Sequence, residues 1–378
     1  MKKFIALLLF VSYSVPAQEI NITFRVLPPA QTPAAAAVFI AGNTPALGNW
    51  NPGAIALEKA SDEFWTKSFK IPKGFRLEYK ITRGNWNAQA IYQRGVIPGN
   101  TVLEVSSDTT VTIRPLMWSD QGFKSGGKIT GDVKFHRNLA GAGLNYARDV
   151  IVWLPPSYRR AKTKRYPVLY MHDGQNVFDP STSFLGIDWQ ADEVADSLIR
   201  RKRMQEIIIV GIYNSPDRGA EYSDTELGKA YVAFIVDSLK PMIDKTYRTL
   251  PDPGNTAVMG SSMGGLVSFL IVWQHPDVFS KAGCLSSVFE REQTHALEMV
   301  EAYRGPKKSI RLYLDCGGTG GDETLKPGMN EMVQALRAKG FREKRDFISH
   351  VDPQAAHNEA AWAKRLWRPL TFLFPSKK

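Results

Sequence analysis

The stretch Asn255-Thr256-Ala257-Val258-Met259-Gly260-Ser261-Ser262-Met263-Gly264-Gly265-Leu266-Val267-Ser268-Phe269 decides the fold. Its first five residues read as a short buried strand, and Gly265 to Gln274 as an apolar helix. The pattern Gly-x-Ser-x-Gly stands between them. A strand that turns directly into a helix through this pattern presents its central serine at the top of a sheet. The turn needs small neighbours, so a Cβ at Gly260 or Gly264 is expected to crowd the strand or helix packed beside it. Ser262 is the expected nucleophile, and Ser261, second in the motif, is the rival hydroxyl.

A serine hydroxyl is a poor nucleophile at neutral pH. It needs a base to take its proton and a carboxylate to hold that base in the correct tautomer. The expected order along the chain is serine, acid, histidine. His357 lies in Asp352-Pro353-Gln354-Ala355-Ala356-His357-Asn358, after a strand at Phe347 to Val351 and before a helix starting near Glu359. His350 is the alternative base but falls inside that strand. His136 and His172 precede the nucleophile, and His275 and His295 precede any later acid, so these four break the order.

For the acid, the chain offers Asp315-Cys316-Gly317-Gly318-Thr319-Gly320-Gly321-Asp322-Glu323. Asp322 ranks first and Glu323 second, both on a Gly-rich loop, while Asp315 at the strand end has a structural reading. Two backbone N–H groups are needed for the developing oxyanion. Met263, next to the nucleophile, is one candidate, and Gln175 in His172-Asp173-Gly174-Gln175-Asn176 is the other. No HExxH or comparable ligand set accompanies His172 and Asp173, so neither a metal nor a cofactor is expected.

Outward from the elbow, Val150 to Leu154, Val168 to Met171, Ile207 to Val210, Ala257 to Met259 and Ile310 to Leu314 are apolar runs suited to buried parallel strands. Trp189 to Arg201, Leu227 to Tyr247 and Glu331 to Lys339 carry apolar residues at helical spacing. The alternation predicts a doubly wound, mostly parallel α/β domain over residues 131–378. Residues 18–116 differ: short alternating runs such as Ile22 to Val26, Ala37 to Ile40, Leu77 to Ile81 and Thr110 to Ile113 predict a small all-β sandwich. Residues 117–130, rich in Ser, Gly and Lys, are the expected linker.

Lys2 and Lys3, the apolar run from Phe4 and the ending Val15-Pro16-Ala17 read as a secretory signal over residues 1–17, which predicts an exported, periplasmic or extracellular protein. No later segment is apolar enough to span a bilayer. The formal charge is +11, or +9 without Lys2 and Lys3, and it is spread through short clusters such as Arg159 to Arg165 and Arg200 to Arg203. No nucleic-acid motif accompanies them, so no nucleic-acid partner is expected. Cys284 and Cys316 are buried thiols or, if their strands are neighbours, a single disulfide.

With these residues placed, the chain from about 130 to 375 resembles the "Putative esterase" family of α/β hydrolases. That family includes feruloyl and other cinnamoyl esterases, siderophore (enterobactin-type) esterases and related acyltransferases. The matching text is Tyr170-Met171-His172-Asp173-Gly174-Gln175-Asn176, Gly211-Ile212, Arg218-Gly219-Ala220-Glu221-Tyr222, Tyr247-Arg248-Thr249, the elbow, and His357-Asn358-Glu359-Ala360-Ala361-Trp362. The resemblance implies ester hydrolysis through an acyl-enzyme. It suggests Arg218 and Glu221 as substrate-pocket residues or as a structural ion pair. It leaves Asp322 and Glu323 both open, because Gly320-Gly321 follows the Gly318-Thr319 pair.

The N-terminal domain is similar to the starch-binding type of carbohydrate-binding module, through Phe39-Ile40-Ala41-Gly42-Asn43, Leu47-Gly48-Asn49-Trp50, Trp65, Leu77-Glu78-Tyr79-Lys80 and Gly84-Asn85-Trp86. That likeness implies a glycan ligand held by Trp50, Lys80 and Trp86, with Trp65 in the core. An ester attached to or associated with carbohydrate is the leading substrate class. A siderophore trilactone, acyl transfer by the same triad, and a glycan-binding protein with an inactive hydrolase half are the alternatives.

Overall fold

The computed structural model describes residues 18–61, 63–93, 98–121, 129–184 and 186–376. The expected leader, residues 1–17, and residues 122–128 of the expected linker lie outside them. The chain divides into two compact units, Met1–Gln121 and Gly122–Lys378.

The first unit contains β1 (Glu19–Val26), β2 (Phe39–Gly42), β3 (Ile55–Ala56), β4 (Glu58–Ser61), β5 (Phe64–Pro72), β6 (Arg76–Thr82), β7 (Ala90–Ile91), β8 (Thr101–Glu104), β9 (Thr109–Ile113) and β10 (Met117–Trp118). They form two four-stranded sheets, ordered β4-β5-β1-β9 and β3-β2-β6-β8, and a short β10-β7 pair. Alternation builds the core. Ile20, Ile22, Phe24 and Val26 point inward from β1, and Leu77, Tyr79 and Ile81 from β6. Phe24 meets Tyr79 of the other sheet edge-on at 4.8 Å between centroids. Trp65 is in this core, as expected. The sandwich also runs further than residue 116: β10 pairs with β7, and Trp118 is fully buried with its N–H donated to Thr32 Oγ1 at 2.8 Å. The linker composition begins only beyond it.

In the second unit β11 (Asp132–Leu139), β12 (Arg148–Leu154), β13 (Val168–His172), β14 (Ile208–Ile212), β15 (Thr256–Ser261), β16 (Lys281–Leu285), β17 (Arg311–Gly317) and β18 (Phe347–Asp352) form one sheet. Its order is β11-β12-β14-β13-β15-β16-β17-β18. The first two pairings are antiparallel and the other five parallel. The helices are α1 (Ala191–Arg200), α2 (Arg218–Glu221), α3 (Glu226–Ala233), α4 (Lys240–Thr246), α5 (Met263–Gln274), α6 (Ala296–Ala302), α7 (Asp322–Ala338), α8 (Glu359–Arg365) and α9 (Trp367–Leu373).

Two cores cover the two faces of the sheet. One joins α3, α5 and α7 through Tyr231, Leu266, Phe269 and Leu336, and the other joins α1, α8 and α9 through Leu198, Trp362 and Leu370. The fold is the α/β class the strand runs predicted. β11 carries too few apolar residues to stand out beforehand, and β16 is the strand expected around Cys284, for which the sequence set no bounds.

The helix expected over Leu227 to Tyr247 is present but interrupted by a π turn at Phe234–Leu239. Pro241 lies just after it and has no N–H to continue the i to i−4 ladder, which favours the wider turn. Cys284 and Cys316 are on neighbouring strands, yet register sets Cys284 opposite Leu314 and Cys316 opposite Val351. Both remain buried free thiols.

Candidate active site

The site forms at the carboxyl ends of β13, β15, β16 and β17. Ser262 follows β15 with φ 56° and ψ −126°, a region that costs a non-glycine residue about 1–3 kcal/mol. The surroundings impose it. Ser262 N–H donates to Leu285 O at 2.9 Å, and its own carbonyl accepts the N–H groups of Gly265 and Leu266 at 3.0 and 3.1 Å. A Cβ on Gly260 would come within 2.6 Å of the Gly264 backbone. At Gly264 itself the nearest atoms stand at 3.4 Å, so the second crowded position is not Gly264 but Gly265, whose Cβ would run into Ser287 Oγ. Ser261 is buried at the strand end, whereas Ser262 is partly exposed.

Asp322 is the first residue of α7 rather than part of a loop. Gly320 and Gly321, at φ 58° and 100°, turn the chain so that the helix starts nine residues earlier than its apolar spacing suggested, with Pro327 inside it. Asp322 Oδ1 lies 2.6 Å from His357 Nδ1, with the carboxylate fully buried and the imidazole 23% exposed. Asp322 Oδ2 accepts from Ser286 Oγ and Gly317 N–H, each at 2.6 Å. Burial alone would raise the Asp322 pKa, but the hydrogen bonds from His357 and Ser286 outweigh it and hold the group below the usual carboxylate range. Glu323 is exposed and accepts the Gly321 N–H at 2.8 Å. The geometry thus separates two acids that the sequence left in competition.

Asp315 is buried and accepts from Arg365 Nε at 2.9 Å, which fits its structural reading. His350 is half-buried within β18, where burial first and Arg368 next lower its pKa. Ser286 was not legible as part of the site. Its oxygen accepts from Trp362 Nε1 at 2.9 Å and Arg365 Nη2 at 2.7 Å while its hydroxyl donates to Asp322. Trp362 also meets the His357 ring edge-on at 5.0 Å. The chain segment after β16 therefore orients the acid and the tryptophan together.

Met263 is the first residue of α5, so its N–H is one of the four a helix leaves without an intrahelical partner. Gln175 sits in a 3-10 turn, Gly174–Asn176, directly after β13. Gly174 and Gly211 approach so closely that a Cβ on either would meet the other's backbone. Asp173, held at φ 55°, braces the turn: it accepts from Arg218 Nε at 2.7 Å, Arg218 Nη2 at 2.8 Å and Asn214 Nδ2 at 2.7 Å. Burial pushes Asp173 up, but the attraction of Arg218 prevails and keeps it below the usual range.

Arg218 and Glu221 do not pair with each other, and each forms an ion pair with a different residue. Glu221 makes two 2.8 Å bonds to Arg148, and both side chains are 0% exposed, so Glu221 cannot line a substrate pocket. Arg218 serves Asp173. His172 is also internal, sharing a 2.9 Å hydrogen bond with Tyr231 OH, and burial drives its pKa down to about 3. Glu359 is a further site residue the sequence did not single out. Its Oε1 lies 3.4 Å from Asn176 Nδ2, and burial, reinforced by Asp173, raises its pKa to about 7.

In the sandwich, Lys80 Nζ lies 5.9 Å from the Trp86 ring centroid and 3.2 Å from Gln89 Oε1, and Trp86 is 38% exposed. Trp50 is half-buried at φ 65° on the loop that adjoins the Gly84 turn, where Thr82 Oγ1 donates to Pro52 O at 2.6 Å. Lys80 and Trp86 are brought together, and Gln89, unnoticed in the sequence, joins them.

An α/β sheet with a strained serine elbow and a buried Asp–His pair defines the α/β-hydrolase class. The family described as "Putative esterase" matches residues 141–373, more than half of the chain, so the chain belongs to that family and is a carboxylic ester hydrolase. A "Starch binding domain" model matches residues 19–114. An endo-1,4-beta-xylanase/feruloyl esterase of Xylanibacter ruminicola is 29% identical over 230 residues, covering 59% of this chain; the chain spans only 29% of that relative. A ferulic acid esterase structure is 25% identical and superposes with a TM-score of 0.54, covering 64% of this chain and 98% of its own. The enterobactin esterase of Shigella flexneri shares the fold at 15% identity and a TM-score of 0.55, with 95% of each chain covered. No described helix is long and apolar enough to cross a membrane.

Proposed function

We propose that this is an exported serine esterase that cleaves acyl esters attached to or associated with carbohydrate, of the feruloyl or acetyl kind. The observation that carries the mechanism is the 2.6 Å contact between buried Asp322 and the half-exposed His357, in the same unit as the strained Ser262. Asp322 fixes the proton on Nδ1 and leaves Nε2 free to take the Ser262 proton. Ser262 Oγ attacks the ester carbonyl, and the Met263 and Gln175 N–H groups receive the oxyanion. Collapse breaks the acyl–oxygen bond, and His357 returns its proton to the leaving alkoxide. Water then repeats the sequence on the acyl-enzyme and restores the serine.

The glycan preference rests on the sandwich. Trp86 offers an exposed aromatic face beside Lys80 and Gln89, a surface suited to the apolar C–H face of a sugar. The xylanase/feruloyl esterase relative and the ferulic acid esterase likeness point the same way. The leader-like residues 1–17 support export. A panel of feruloylated arabinose, acetylated xylan, an enterobactin-type trilactone and short aryl esters tests the substrate class. Highest kcat/KM on the carbohydrate esters is expected. Highest kcat/KM on the trilactone, or acyl transfer to sugar exceeding hydrolysis, would replace this reading.

A further inference from the structure

Asp188, Asp192 and Glu193 each bring one carboxylate oxygen to within 4.8 Å of the other two. Asp188 ends the loop that follows the Gln175 turn, and Asp192 and Glu193 open α1. Asp192 is fully buried and Glu193 exposed. Asp192 Oδ2 accepts the Thr130 N–H at 2.5 Å. Its Oδ1 is buried with no hydrogen-bond donor among the described residues, and the carboxyl of Glu193 contacts that of Asp192. An orphaned charged oxygen costs more than the 1–3 kcal/mol of a neutral group.

Carboxylates in the first turn favour the helix dipole by about 0.3–1 kcal/mol. Exposed side chains would supply that benefit, so the dipole does not account for burying Asp192 with an oxygen unmet. Among the described residues no Lys or Arg pairs with Asp188, Asp192 or Glu193; the ion pair within α1 joins Arg200 to Asp196.

We propose that Asp188, Asp192 and Glu193 bind a divalent cation of the calcium class, which fastens the loop behind the oxyanion turn to α1. Oxygens lie about 2.3–2.6 Å from calcium, so two ligands of one ion are at most about 5 Å apart, which accommodates the observed spread. Magnesium keeps several waters and is usually held by one or two carboxylates, so a set of three carboxylates suits it less. The loop is tied to the site by three bonds: Phe184 N–H to Asn176 Oδ1 at 2.9 Å, Trp189 N–H to Asn176 O at 2.8 Å, and Ala191 N–H to Val177 O at 3.1 Å. The ion is structural and takes no part in ester chemistry. The absence of a zinc-type motif does not bear on it, because oxygen-only sets for hard cations need no such spacing.

The test uses the full chain after chelator treatment, titrated with CaCl2 or MgCl2 by calorimetry and thermal unfolding. One calcium per chain is expected, with the melting temperature rising by roughly 5 °C at a hundred-fold excess over Kd. Magnesium should give a smaller shift. Asp188→Asn and Glu193→Gln should each weaken calcium binding at least about ten-fold, the second at an exposed position that leaves folding unaffected. No calcium binding by the native chain overturns the proposal in favour of a proton shared by Asp192 and Glu193. Binding that both variants retain unchanged overturns it too.

Discussion

The sandwich and the α/β unit place their candidate functional residues by opposite means. In the α/β unit the groups are buried and locked: Asp322 is fully enclosed, Ser262 is held at positive φ by two strands and a helix, and Ser286 joins Asp322, Trp362 and Arg365 through one oxygen. In the sandwich the candidates are partly exposed side chains, Trp50 and Trp86 on turns and Lys80 on β6, with Lys80 near Trp86 at 5.9 Å. Chemistry on a developing charge needs groups fixed before the substrate arrives. Holding a sugar needs only an aromatic face and a few polar atoms.

Substitutions in the two units should therefore differ by orders of magnitude. The largest effect is expected for Asp322→Asn. The amide cannot hold His357 in the productive tautomer, and kcat on a soluble aryl ester should fall by about four orders of magnitude with the fold retained. Glu323→Gln should leave kcat within about two-fold, since Glu323 accepts only a backbone N–H. Equal losses in both variants would remove the distinction between the acids.

Glu359 gives an intermediate effect that pH exposes. Its pKa of about 7 in the folded protein stands above its ordinary value of 4.5, so the folded state holds this proton more tightly than the unfolded chain. The resulting stabilisation is complete below pH 4.5 and lost as pH rises through 7, leaving a buried charge in alkaline solution. Glu359→Gln should raise stability at pH 8 by on the order of 2–3 kcal/mol relative to the native chain and change it little at pH 4. Urea midpoints at the two pH values check this. The same difference at both would contradict the assigned origin.

The smallest effect on catalysis belongs to the sandwich. Trp86→Ala combined with Trp50→Ala should weaken retention on insoluble glucan while kcat/KM on a small soluble ester stays within about two-fold. Unchanged retention would withdraw the glycan surface.

How much could be read in advance follows the same contrast. The elbow was legible because its conformation demands glycines at fixed offsets from a serine, and His357 because its place after the last strand is set by chain order. Asp322 was legible only as one of two, since nothing local says that Gly320 and Gly321 will turn the chain into a helix and bury one carboxylate while exposing the other. Ser286 lies just beyond β16, and its role depends on Asp322, Trp362 and Arg365, all far away in the sequence. Glu221 is in a structural ion pair, one of the readings open for it, but its partner was not legible, because Arg148 is 73 residues away and their enclosure is a tertiary event. The tryptophans were legible through the domain resemblance, which set Trp65 in the core and Trp86 at the surface; Trp118, also core, fell in the expected linker because the side chain alone carries no mark of burial.

Everything above turns on Ser262 being the atom that takes the acyl group. Incubation with an active-serine phosphonate, followed by peptide mapping in a mass spectrometer, measures this directly. The account predicts one adduct per chain, on Ser262, with label and esterase activity both lost in Ser262→Ala. A label on Ser261, or a Ser262→Ala variant that still turns over an aryl ester at near-native rate, would contradict it.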